Sequence, residues 1–278
     1  MLTNKTIGFI GAGNMAEALI KGLISSKKVS AARIIASDRS GDRLLYIAEN
    51  YDITIHNKNF EVAKAADIVF LAVKPDGLKS IIEDISGELT GDKLVISIAA
   101  GITIETITTW LRASGVKDAL IVRAMPNTPA MVGEGAIGIV AARGTGKLEL
   151  DLAEFLLTTV GRVVVFEDES ELNAVTGLSG SGPAYVFYFM EAMAAAGIEL
   201  GLSKEHAKEL AIQTTLGAAK LAIDSEKGLP ELTDMVTSPG GTTVEGLKIL
   251  KNSDFCDIIM NAIKAATLRS EELSSVSD

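Results

Sequence analysis

Two short stretches of this chain carry residue types spaced for chemistry. The first is Ile7-Gly8-Phe9-Ile10-Gly11-Ala12-Gly13-Asn14-Met15-Ala16, where Gly11, Gly13 and Ala16 fill a G-x-G-x-x-G/A pattern. An apolar run enters the pattern and a helix-forming run, Ala16 to Ile24, leaves it. Each small residue has a task in such a turn: Gly11 permits the tight bend, Gly13 lets a pyrophosphate approach the backbone, and Ala16 lets the helix pack on the strand. The helix start then turns free N–H groups and the positive end of its dipole toward the phosphates. Glycines so spaced also occur in ordinary turns, but between a strand and a helix they specify a dinucleotide site. The second stretch is Ser238-Pro239-Gly240-Gly241-Thr242-Thr243. Paired glycines can form a nest of backbone N–H groups ahead of a helix, an anion site with hydroxyls and no basic side chain. A plainer reading stands beside it, because Thr242 and Glu245 have the spacing of a capping box.

Other candidates for chemistry are few. The chain has two histidines. His206 falls in a charged first helical turn and reads as solvated; His56 follows a strand beside Asn57 and reads as a loop residue. Dehydrogenases that oxidise an alcohol need a base such as His or Lys, and none is obviously supplied. The carboxylates lie mostly at solvent-face helical spacing, so no metal site is expected. Glu191, among apolar neighbours, reads as a hydrogen-bonded interface residue.

The elements that must position these residues follow a strand–helix alternation. Strands are expected at Arg33–Ser37, Ile53–Ile55, Asp67–Val73, Leu94–Ile98, Leu120–Ala124, Ile137–Ala141 and Val163–Phe166, with helices at Gly41–Asn50, Phe60–Ala65, Ile104–Arg112 and Lys147–Val160. Such alternation gives an α/β, Rossmann-like doubly wound, mostly parallel sheet. Ligands bind beyond the carboxyl ends of strands in these sheets. The candidates fall there: Gly11 to Met15, Asp38-Arg39-Ser40, Asn57, Lys74-Pro75, Ala99-Ala100 and Asn127. From about Glu169 the strand pattern stops, so residues 1–166 read as the dinucleotide domain and 167–278 as an all-helical domain. Ser181 reads as an N-cap with Pro183 in the first turn. The helix that follows, Ala184 to Ala196, is apolar nearly all round, and a helix of that kind must be buried on every side. A helical domain of roughly 100 residues hides one with difficulty, which implies a subunit interface and a homodimer. Further helices are expected at Lys204–Asp224, Thr242–Lys251 and Cys256–Ser270, with a polar, disordered tail beyond Glu271.

Composition bounds the partners. A net charge of −10 over 278 residues argues against nucleic acid or an anionic membrane. The most apolar stretch, Ala184 to Leu202, is interrupted by Glu191, Gly197, Glu199 and Gly201, so no membrane span is expected. One cysteine, Cys256, precludes an internal disulfide. With no cationic and apolar leader ahead of the first strand, a cytoplasmic protein is expected.

Taken in order, Ile10-Gly11-Ala12-Gly13-Asn14-Met15, Ala72-Val73-Lys74-Pro75, Met125-Pro126-Asn127-Thr128-Pro129, Gly180-Ser181-Gly182-Pro183-Ala184-Tyr185 and Ser238-Pro239-Gly240-Gly241-Thr242-Thr243 resemble the pyrroline-5-carboxylate reductase family. The similarity runs from Lys5 to Arg269. The resemblance implies reduction of 1-pyrroline-5-carboxylate to L-proline by NADPH or NADH, and a helical C-terminal dimerisation domain that also allows a higher homo-oligomer. It also implies that Asn57, Ala72 to Pro75 and Ile98 to Ala100 touch the cofactor. Ser238, Gly240, Gly241 and Thr243 would hold the substrate, with Thr243 also acting in the chemical step. A protonated cyclic imine accepts hydride directly at carbon, so the missing base is accounted for. The family often carries an uncharged residue where Asp38 stands. The alternatives are a β-hydroxyacid dehydrogenase, whose catalytic Lys the helix Ser179 to Met193 lacks, and a non-catalytic NADPH-binding regulatory protein.

Overall fold

The computed structural model describes residues 5–276. The chain folds as two units: one runs to Ser181 and resumes at Ala265, and the other is Gly182–Lys264.

The first unit is built on eight strands: β1 (Ile7–Ile10), β2 (Ile34–Ser37), β3 (Thr54–His56), β4 (Ile68–Leu71), β5 (Leu94–Ser97), β6 (Leu120–Met125), β7 (Gly135–Ala141) and β8 (Gly161–Val165). Their spatial order is β3-β2-β1-β4-β5-β6-β7-β8. The first six are parallel and β7 runs antiparallel to β6. The reversal follows from the connection: between β6 and β7 the chain makes only the short 3-10 turn Thr128–Val132. A parallel return needs a crossover of a dozen or more residues.

Helices α1 (Asn14–Ser25), α2 (Gly41–Tyr51), α3 (Asn59–Ala65), α4 (Leu78–Ile85), α5 (Ile104–Ala113), α6 (Lys147–Leu157) and the short α7 (Glu171–Val175) cover the sheet. Because successive strand residues point to opposite faces, Ile7 and Phe9 join one core with Leu19, Ile20, Leu23 and Leu156, while Ile10 joins the other with Val62, Ile82 and Ile107. Phe9 stacks on Phe70 at 4.8 Å between ring centroids, both fully buried. Each such side chain contributes roughly 1.5–3 kcal/mol of transfer free energy.

The second unit is helical: α8 (Gly182–Glu199), α9 (Lys204–Asp224), α10 (Leu229–Met235), α11 (Thr242–Asn252) and the start of α12 (Phe255–Val276). Three expectations change. Ser181 does not cap a new helix; its backbone is already helical (φ −83°, ψ −23°), and a π-helical segment, Thr176–Gly180, leads from α7 into α8. The tail expected to be disordered is helical through Val276, where α12 ends, and the helix buries Ser270 and Ser274; residues 277–278 lie outside the described residues. The tail's polar composition hid a helix whose buried face is made of serines. Finally, α4, α7 and α10 are not foreseen by the sequence pattern.

Candidate dinucleotide site

The candidate residues of the first unit follow directly on the carboxyl ends of β1 to β6, around the reversal of strand order between β1 and β4. Gly11 makes the tight turn. Its N–H donates to the Ser37 carbonyl at 2.8 Å, its φ is +96°, and a Cβ there would collide with the Ala72 carbonyl. Gly13 is the N-cap of α1 with no side-chain cap, and a Cβ added to it meets nothing within 4 Å. An open cradle before uncapped N–H groups is what a pyrophosphate requires, so these residues fit a dinucleotide. Asn14 and Met15 form the first turn of α1, and Ala16, fully buried, packs beneath.

Side chains from the next strand and helix hold this turn. Asp38 Oδ2 accepts from the Ala12 N–H at 2.7 Å and its Oδ1 from the Ser40 N–H at 2.9 Å. Arg43 Nε donates to the Ala12 carbonyl at 2.6 Å, while its guanidinium pairs with Glu17 on α1. The Ala12 peptide is therefore gripped from both sides. Tyr51 donates to Glu17 at 2.7 Å. Burial pushes the Glu17 carboxyl up, but hydrogen bonds from Tyr51 and Arg43 and the Arg43 charge outweigh it and leave it below its ordinary range. The same burial and the Glu17 carboxylate push Tyr51 up to about 12. Ser40 caps α2, its Oγ accepting from the Arg43 N–H, and Arg39 is exposed beside it. The sequence reading missed Arg43 and Glu17, which stand 26 residues apart; no local spacing reports such a pair.

Asn57 is exposed just past β3. Ala72, Val73, Lys74 and Pro75 lead from β4 into a short 3-10 turn, with Lys74 exposed. Ile98, Ala99 and Ala100 lead out of β5, with Ala99 buried. Asn127 is buried and its amide is committed to backbone: Nδ2 donates to the Ser179 carbonyl at 2.9 Å and Oδ1 accepts from the Ala136 N–H at 2.9 Å. A second pair missed from the sequence lies nearby. Arg123, 3% exposed on β6, donates to Glu169 Oε1 at 2.7 Å, and the same oxygen accepts from the Ile104 N–H at 2.8 Å.

In the second unit, Ser238 to Thr243 form the turn into α11. Gly241 is the N-cap, and its N–H donates to the Ser238 carbonyl at 3.0 Å. The capping box expected of Thr242 and Glu245 is not formed. The cap falls one residue earlier, on a residue without a side chain, and Glu245 instead accepts from Lys248 Nζ at 2.7 Å. Thr242 and Thr243 thus open the first turn with no side-chain cap over its N–H groups. His206 is exposed in the first turn of α9, and His56 Nδ1 stands 3.3 Å from Glu61. Among the described residues no group of three or more His, Cys, Asp or Glu side chains could hold a metal ion. Among the same residues no helix is long and apolar enough to cross a membrane.

Residues 169–273 match the family model described as pyrroline-5-carboxylate reductase dimerisation, and residues 6–101 that described as NADP oxidoreductase coenzyme F420-dependent. The chain is 41% identical over 273 residues to the pyrroline-5-carboxylate reductase of Pseudomonas aeruginosa, covering 98% of each. This chain belongs to the pyrroline-5-carboxylate reductase family. A reductase of that family from Coxiella burnetii superposes with a TM-score of 0.93 at 41% identity, covering 98% of this chain and 99% of that one. The Plasmodium falciparum pyrroline carboxylate reductase, solved with NADP bound, gives 0.84 at 31% identity, covering 99% and 100%. The Rossmann-like sheet and helical C-terminal region expected of the family are both present, and the C-terminal region is the family's dimerisation region.

Proposed function

We propose that this chain reduces the cyclic imine 1-pyrroline-5-carboxylate to L-proline, the final step of proline biosynthesis, using NADPH and, less well, NADH. The observation that carries the reading is the full-length match to reductases of that name. When bound, the reduced nicotinamide supplies a hydride. The chain's own residues bind and orient. Gly11 to Met15 hold the pyrophosphate, Asp38, Arg39 and Ser40 meet the adenosine ribose, and Asn57, Ala72 to Pro75 and Ile98 to Ala100 line the rest. Asn127 supports that edge from beneath through its backbone contacts.

Ser238, Gly240, Gly241, Thr242 and Thr243 hold the substrate carboxylate at the uncapped start of α11. The Thr243 hydroxyl donates to the lone pair of the neutral imine nitrogen, orienting it or relaying to it from water the proton that makes it the hydride acceptor; threonine is too weak an acid to be the sole proton source. In this division of labour residues 1–166 carry the dinucleotide, and residues 167–278 carry the substrate and the homodimer contact, with assembly beyond the dimer left to the same helices. The compartment is the cytoplasm. A β-hydroxyacid dehydrogenase is disfavoured because α8 contains no lysine. The test is loss of NADPH absorbance on adding pyrroline-5-carboxylate to the purified protein. Tight NADPH binding without turnover would support a regulatory protein instead.

A further inference from the structure

The last turns of α12 lie directly on the loop that carries Ile98, Ala99 and Ala100. Gly101, the next residue, is buried with φ +75°, and a Cβ there would stand 3.2 Å from the Cβ of Leu273. Only glycine accommodates both that backbone and so close a helix. Ser270, Leu273 and Ser274 share one face of the helix, at i, i+3 and i+4. Ser270 and Ser274 are 4% and 9% exposed. A buried hydroxyl is costly unless it is hydrogen-bonded. Here Ser270 Oγ donates to Asn173 Oδ1 at 2.8 Å, and Ser274 Oγ donates to the Ser270 carbonyl at 3.0 Å, 3.5 Å from the same Oδ1.

The far end of the loop is fixed from the same segment. Glu169, four residues before Asn173, accepts from the Ile104 N–H at the start of α5 and from buried Arg123. Segment 169–173 therefore grips both ends of the arrangement: the start of α5 through Glu169, and the end of α12 through Asn173. Between them lies the loop from Ile98 to Thr103.

We propose that Ser270, Leu273 and Asn173 are positioning residues for the cofactor, forming a clasp that holds the Ile98–Ala100 loop in its dinucleotide-binding conformation. The inference rests on the reading of that loop as part of the dinucleotide site. A loop ordered in advance spares the ligand the cost of ordering it. The clasp thus acts on dinucleotide affinity, although neither Ser270 nor Leu273 needs to touch the ligand.

The test uses the full-length protein with Ser270→Ala, Asn173→Leu and Asn173→Asp. NADPH affinity is measured by titration calorimetry, and amide hydrogen exchange is followed over residues 98–104 without ligand. The first two variants should weaken NADPH binding about 5-fold, as loss of one hydrogen bond does, and should speed exchange in the loop. Asn173→Asp keeps the acceptor and should stay within about twofold of wild type. KM for NADPH should rise more than kcat falls, with sedimentation unchanged. Exchange and affinity unmoved, with only the melting temperature lowered, would overturn the clasp and leave the helix end a structural element. A wild-type protein that binds no NADPH would overturn the dinucleotide reading itself; the exchange measurement, made without ligand, tells the two failures apart.

Discussion

Arg39 and Arg43 stand four residues apart and are committed differently. Arg43 is spent on the Ala12 carbonyl and on Glu17, so it stiffens the glycine-rich turn. Arg39 is exposed beyond β2, next to an Asp38 whose two oxygens are both tied to backbone N–H groups. A carboxylate held there favours a ribose 2′-OH and repels a 2′-phosphate, and Arg39 is the cation placed to offset it. Arg39→Ala should raise KM for NADPH about tenfold, the low end of a charge-assisted contact at an exposed site, and leave KM for NADH nearly unchanged. Equal effects in steady-state assays with the two cofactors would refute the assignment. At this scale the turn glycines Gly11 and Gly13 were legible because the strand–turn–helix pattern that calls for them is local, whereas the bond from the Ala12 N–H to Asp38, 26 residues on, was not. Arg43–Glu17 and Arg123–Glu169 were not, since 26 and 46 residues separate the partners and only the folded sheet brings them together.

The elements were legible in proportion to their periodicity. Strands with unbroken apolar runs, such as β4 and β5, could be read directly, and α9 has the bounds its pattern suggests. Elements decided by connection length or by a non-apolar buried face could not: β7 turns antiparallel because its loop is short, and α12 buries serines. The start of α11 shows what a single residue decides. With Gly241 as N-cap, the first turn lacks a side-chain cap, so the hydroxyls of Thr242 and Thr243 are not needed for the helix itself. The functional assignment of Thr243 then has a clear consequence. Thr243→Val keeps the shape and removes the donor, and losing one donor that matters in the transition state costs on the order of 10²–10³ in kcat. NADPH affinity and melting temperature should stay put. A variant with unchanged turnover would end the catalytic role of Thr243.

For the whole molecule, the decisive feature is α8. None of its residues is buried within the single chain, and Phe187 and Tyr188 are 62% and 75% exposed, with Val186, Phe189 and Ile198 exposed as well. Exposed apolar surface on that scale marks an interaction surface, in agreement with the dimerisation model that the region matches. Phe189→Asp should therefore yield monomeric or insoluble, inactive protein. A well-folded wild-type monomer at nanomolar concentration in sedimentation velocity would contradict the obligate dimer. The claim that the molecule as a whole reduces a cyclic imine is tested most directly by following the hydride. NADPH deuterated at the transferable position of the nicotinamide is supplied with 1-pyrroline-5-carboxylate, and the product is examined by NMR. L-proline should carry one deuterium on its δ carbon, the former imine carbon, in step with NADPH consumed; NADPH bound but unconsumed, or proline without the label, would contradict imine reduction by this protein.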